Sequence, residues 1–260
     1  SVHCSILKYI FSKGEVNMFK PQVYVVKEYK PSSPCYSDYW NDKDKAIKLY
    51  KSVSGQVTVT CKGVTDMESM FDSCSNLIKL DLSSFDTSNV YNMSCMFYGC
   101  KSLSSLDLTG FDTSKVRDMS GMFNECTNLT YLDLSDFDAT KVDTMASMFC
   151  NCINLTTLDL SNFDTSNATD MSCMFYGCEK LISLDLSNYF DTYNVYDMCG
   201  MFKDCTNLVT IKGVIDMKSC KRFYEDMFYN CPKLKGVKIK NPPANFDGAG
   251  LTSSQYTIVY

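Results

Sequence analysis

Thiols and carboxylates are the groups with which this chain could do chemistry, and both recur at fixed spacing. Of its 15 cysteines, Cys74, Cys100, Cys126, Cys152, Cys178, Cys205 and Cys231 follow one another at steps of 26, 26, 26, 26, 27 and 26 residues. Asp81, Asp107, Asp133, Asp159 and Asp185 keep the same 26-residue step. The one histidine is His3, near the start, so Ser-His-Asp and Cys-His nucleophilic mechanisms have no base in place. No Gly-rich phosphate loop occurs either. The inventory reads as non-enzymatic.

A metal reading of the thiols fails on spacing. Cys150 and Cys152, Cys95 and Cys100, and Cys173 and Cys178 are close in sequence. Zinc asks for four converging ligands, usually two C-x₂₋₄-C pairs or histidines, and neither is present. The sequence therefore predicts no metal and no cofactor. The cysteine number is odd and seven thiols share one repeat position, which opposes a disulfide scaffold. They read as a ladder of reduced, buried cysteines acting as small hydrophobes.

A period near 26 residues means stacked units, each burying its apolar face only against its neighbours. Leu103–Thr127 shows one unit. Leu106 and Leu108 alternate around Asp107 as a short strand, and Phe111-Asp112-Thr113-Ser114 reads as a turn. Met119, Met122, Phe123 and Cys126 then occupy i, i+3, i+4 and i+7, which predicts one face of a short helix. Asp66, Asn92, Asp118, Thr144, Asp170 and Asp197 precede the first Met of successive units and are good N-caps. The predicted fold is thus α/β: a leucine-rich-repeat-like solenoid with one short parallel strand and one short helix per repeat.

Three segments follow. Residues 1–56 lack the period and read as an N-terminal cap or small appended subdomain. They contain a β-leaning stretch over Gln22–Val26, a Pro-rich turn at Pro31–Pro34, Trp40, and a helix from Asp42 to Lys51. Residues 57–240 form the solenoid, and 241–260 a C-terminal cap with a strand at Tyr256–Val259. The chain opens on Ser1 rather than Met, which reads as a processed or excised fragment.

The net charge of −5 opposes nucleic-acid binding, and no apolar run approaches the roughly 20 residues that span a membrane. On the predicted strands, Asp81, Asp107, Asp133, Asp159 and Asp185 point outward. Neighbouring parallel strands lie about 4.8 Å apart, so these carboxylates repel unless solvent, nearby Lys or Ser groups, cations or a partner offset them. They are the candidate partner-binding residues, suited to basic or polyhydroxylated ligands. Asp86, Asp112, Asp138, Asp164 and Asp191 serve turns instead. The basic end, Lys233, Lys235, Lys238 and Lys240, reads as a solvated cap.

The pattern L-D-L-S-x-F-D-T-S-x-V-x-D-M-x-x-M-F-x-x-C, as in Asp81 through Val90 and on to Met93, Met96, Phe97 and Cys100, resembles the BspA-like leucine-rich repeats of bacterial surface proteins. The same repeat type is common in mycoplasma surface lipoproteins. The resemblance implies a cell-surface or secreted adhesin or recognition module that binds a host, matrix or neighbouring-cell protein. Two alternatives stand beside it: a cytoplasmic scaffold with the same physics, which the unpaired cysteines suit, and a structural spacer without a ligand.

Overall fold

In the computed structural model, the residues described are 22–25, 48–51, 57–61, 64–75, 77–160 and 162–260. Strand β1 (Gln22–Val25) pairs antiparallel with β2 (Lys48–Lys51), and β2 pairs antiparallel with β3 (Val57–Cys61). From β3 onward pairing is parallel, beginning with β4 (Leu80–Phe85). Further along, β5 (Tyr131–Leu132) pairs with β6 (Thr157–Leu158), and β7 (Ser183–Leu186) with β8 (Thr210–Gly213). The last sheet joins β9 (Ile215–Asp216), β10 (Val237–Lys240) and β11 (Tyr256–Val259).

The expected strands at Gln22–Val26 and Tyr256–Val259 therefore appear as β1 and β11. The helix expected from Asp42 to Lys51 does not: its last four residues are strand β2. Its earlier part, the Pro31–Pro34 turn, Trp40 and His3 lie outside the described residues.

The larger correction concerns fold class, because the repeat carries no helix. Among the described residues the helix that occurs is a short 3₁₀ segment, Phe246–Ala249, so the α/β solenoid is replaced by an all-β stack of strands and turns. Where a helix was expected, each unit makes two successive four-residue turns, with a third overlapping both. In Met67–Cys74 the N–H groups of Met70, Asp72 and Cys74 donate three residues back, to Met67, Ser69 and Phe71, at 3.2, 3.0 and 3.1 Å. The N–H groups between them cross to the next unit instead. Met67, Ser69, Phe71 and Ser73 donate to the carbonyls of Asn92, Ser94, Met96 and Tyr98 at 2.8, 2.8, 2.8 and 2.6 Å.

This alternation satisfies the backbone without a helix. It requires a left-handed residue at the third place of the two successive turns, Met67–Met70 and Phe71–Cys74 in the first unit, the mark of a type II turn. Ser69 and Ser73 have φ of 55° and 57°, and the same two places hold Cys95 and Gly99, then Gly121 and Glu125. A left-handed residue every fourth position cannot sit in a right-handed helix. Two chained turns nevertheless point residues i, i+3, i+4 and i+7 inward, and for that reason their apolar pattern imitates a helical face.

The core runs the length of the stack in columns. Phe71, Phe97, Phe123, Phe149, Phe175, Phe202 and Phe228 stack ring on ring, with centroids 5.3–5.8 Å apart. The methionines of the turns and the leucines of the strands close over them and are buried. From Cys100 onward each thiol of the cysteine column donates to a Phe carbonyl of the preceding unit: Cys100 to Phe71 at 3.2 Å, Cys152 to Phe123 at 3.1 Å, Cys231 to Phe202 at 2.9 Å. The seven cysteines of the column are buried, and Cys126, Cys152, Cys178, Cys205 and Cys231 form no disulfide.

A column of buried threonines ties the turns of the strand side together. The Thr113 hydroxyl accepts the Asp138 N–H at 2.8 Å and donates to the Asp138 carbonyl at 2.9 Å. Thr165 does the same for Asp191, and Thr192 for Asp216. The side chain thereby stands in for a missing strand pair. Ala139 occupies this position in its own unit and offers the Asp164 backbone no hydroxyl.

Candidate functional site

The strand–turn junction positions the aspartate column. In each unit the residue before Asp is a buried leucine and the residue after it is another, so the carboxylate between them faces outward. Asp107, Asp133, Asp159 and Asp185 are exposed and Asp81 is half-buried, all on one face of the stack. The column is less strand-like than its spacing suggests. β5 and β6 stop one residue short of Asp133 and Asp159, and Asp107 lies outside any strand.

The carboxylates are held in place by the residue two positions on. Ser83, Thr109, Ser135 and Ser187 donate their N–H groups to Oδ1 of Asp81, Asp107, Asp133 and Asp185, at 3.1, 3.0, 3.0 and 3.2 Å. The Ser83 hydroxyl adds a bond to Asp81 at 2.7 Å, and the Ser187 hydroxyl one to Asp185. These Asx-type bonds explain why a hydroxyl residue recurs after the Leu of each unit.

Local bonding also decides the charge state. The Thr109 hydroxyl, then its N–H, holds the Asp107 carboxyl below the usual carboxylate range, against a small opposing effect of Asp81. The Ser135 N–H and hydroxyl do so for Asp133. At Asp185 the Ser187 hydroxyl is the main cause, followed by Lys212. Repulsion along the column is therefore real but subordinate, and these members are ionised at neutral pH. Tyr131, exposed beside the column, is pushed up chiefly by the charge of Asp133.

The column changes sign at its C-terminal end. Lys212 is the register partner of Asp185, and its Nζ lies 3.2 Å from Asp185 Oδ2. Both side chains are well exposed, so the pair adds little stability. Lys238, on β10, is likewise exposed. The second aspartate series takes the role expected of it: Asp86, Asp112, Asp138, Asp164 and Asp191 each accept the N–H two residues on.

The predicted N-caps do cap, but they cap turns. Asp66, Asn92, Asp118, Asp170 and Asp197 accept the N–H of the residue two positions later at 2.8–3.0 Å, and Thr144 does so at 3.4 Å. These six positions also bridge one to the next in parallel along the stack, ending at Phe223. That brings acids together on the turn side. Burial, with the nearby Asp118 charge a lesser cause, raises the Asp66 carboxyl, and burial followed by Asp170 raises Asp197.

Sequence reasoning missed the threonine column, although Thr recurs at Thr87, Thr113, Thr165 and Thr192, where only a bonded hydroxyl is at ease in a core. It also missed the pairing of Lys212 with Asp185, which the 27-residue offset between them signals once the extra residue near Tyr189 is allowed for. Among the described residues, no group of three His, Cys, Asp or Glu side chains converges to hold a metal ion. Nor, among them, is any helix long and apolar enough to cross a membrane.

Compared with models of protein families, residues 45–133 and again 126–241 match the family described as "Mycoplasma protein of unknown function, DUF285". The two matches together span well over half of the 260 residues. No curated protein matches the chain.

Proposed function

Since the chain belongs to this mycoplasma repeat family, we propose that it is a non-enzymatic protein-binding module, a cell-surface or secreted recognition or adhesion domain. Its BspA-like repeat pattern supports that reading, as such repeats are implicated in adhesion to host or neighbouring-cell proteins. The contact surface is the aspartate column, Asp81, Asp107, Asp133, Asp159 and Asp185, and the partner presents basic groups to it.

One observation carries the proposal. Carboxylates recur on one face at each unit, oriented alike by Ser or Thr bonds that also keep Asp107, Asp133 and Asp185 ionised. Pre-oriented charge lowers the ordering cost of binding and speeds encounter with an opposite charge. The ammonium of Lys212 on Asp185 illustrates the kind of group such a carboxylate receives. A second reading, an intracellular scaffold, draws on the buried thiols of Cys126, Cys152, Cys178 and Cys205, which form no disulfide and suit a reducing compartment.

The test immobilises the chain and exposes it to a matrix and surface-protein extract and, separately, to cytosol. A protein retained from the first extract and lost by Asp107→Lys/Asp133→Lys/Asp159→Lys supports the adhesin. Retention that survives the triple change sinks the aspartate face. Retention from cytosol alone transfers the protein to the scaffold reading.

A further inference from the structure

Beside the last levels of the aspartate column, where Thr156, Ile182 and Val209 stand three residues before Asp159, Asp185 and Lys212, lies a groove of about 380 Å³ lined by Thr156, Lys180, Ile182, Asn207, Val209 and Lys233. Ile182 and Val209 form its floor and are 55% and 37% exposed; the equivalent places in the three preceding units hold Ser104, Thr130 and Thr156, and the first unit has an isolated aliphatic, Ile78. Two aliphatic side chains left in water at adjacent levels of the stack, directly after three levels of hydroxyls, make a contiguous apolar patch that the lone Ile78 does not.

The rim is basic and partly built. Lys233 Nζ donates to Asn207 Oδ1 at 2.6 Å, while Asn207 Nδ2 donates to the Glu179 carbonyl at 2.8 Å, so the amide fixes the ammonium beside the floor. Lys180, also on the lining, is exposed and has no ion-pair partner among the described residues. Lys235 and Lys238 extend the positive charge toward the end of the stack. In a chain of net charge −5 this corner has the opposite sign to the face it belongs to.

We propose that this groove is a second docking site, which takes an acidic peptide segment carrying a branched aliphatic side chain. The aliphatic group covers Ile182 and Val209, and carboxylates of the same segment meet Lys180 and the Asn207-held Lys233. Charge complementarity selects an acidic occupant, and the apolar floor distinguishes it from a simple counterion cloud. The volume suits one or two side chains, not a folded domain. The site shares no residue with the aspartate column, so either can fail without the other.

The probe is a fluorescein-labelled pentapeptide of glutamates with leucine at its centre, followed by fluorescence anisotropy with the whole chain. Saturable binding is expected, weakened about tenfold when salt is raised from about 50 to about 500 mM. Lys180→Glu/Lys233→Glu is expected to abolish it, and Val209→Asp to weaken it at least about tenfold with all lysines present. Both variants change exposed positions, and an unchanged thermal midpoint checks that they fold. No binding by the wild type overturns the proposal, as does equal binding of a pentapeptide with glycine in place of leucine. Capture of phosphatidylglycerol vesicles without capture of the peptide overturns it in favour of a membrane surface.

Discussion

The two sides of each unit hold to their neighbours by different means. On the turn side, from Met67 to Asp204, alternate N–H groups cross to the next unit at 2.6–3.1 Å without interruption, above a continuous column of stacked phenylalanines. On the strand side, pairing comes in fragments as short as two residues, and buried threonine hydroxyls bridge some of the gaps. The turn side specifies the stack. Relieved of that task, the strand face can pass from Asp185 to Lys212 and from hydroxyls to Ile182 without loss of the fold.

The largest test of this contrast is alkaline pH, because it acts on every thiol of the turn side at once. Burial pushes the thiols of Cys95, Cys220 and Cys231 up to about 11 and that of Cys150 to about 12, and Cys126, Cys178 and Cys205 well above the ordinary range. In the unfolded chain the same groups ionise near about pH 8.5. The unfolded state therefore loses protons first. Stability is intact below about pH 8.5 and falls above it, by about 1.4 kcal/mol per pH unit for each fully buried thiol, until the folded thiols titrate. Urea midpoints under reductant at pH 7.5 and 9.5 check this, and equal values would mean that the thiols are not buried in the fold.

A single ring comes next. Phe123 lies 5.7 Å from Phe97 and 5.8 Å from Phe149, centroid to centroid, and is fully buried. Phe123→Ala is expected to cost about 3–5 kcal/mol and to lower the unfolding midpoint accordingly. The exposed Asp133→Lys is expected to stay within about 0.5 kcal/mol of the parent. Similar losses from the two would erase the distinction between the sides.

The smallest effect sharpens the contrast by strengthening the strand side. Ala139→Thr places a hydroxyl where Thr113 and Thr165 bond the next unit, and is expected to add about 0.5–1.5 kcal/mol through new bonds to the Asp164 backbone. A raised thermal midpoint with Thr but not with Val identifies the hydroxyl as the cause. A fall with both would show that Ala139 has no room.

Much of this was readable from residue spacing. The 26-residue step located the unit, the buried Leu, Phe, Met and Cys columns, the outward Asp column and the turn role of the second Asp series. The helix was misread because Met-x-x-Met-Phe-x-x-Cys fits two linked turns as well as a helical face. The discriminating signal lay between the apolar residues. Gly99, Gly121, Gly177 and Gly200, with Asn151, Asp204 and Asn230, stand where φ is positive, and glycine inside a helix would have cost stability.

What the sequence alone determined is the inside of the molecule, since a repeated apolar pattern dictates which side chains leave water whatever path the backbone takes between them. The tertiary structure decided how the backbone groups are shared. An N–H that turns back three residues and one that crosses to the next unit look alike in a sequence, and only the stacked neighbour supplies the second acceptor. The same holds for the groove and for the ion pair of Lys212 with Asp185, whose members stand 27 residues apart and meet only because the units are in register.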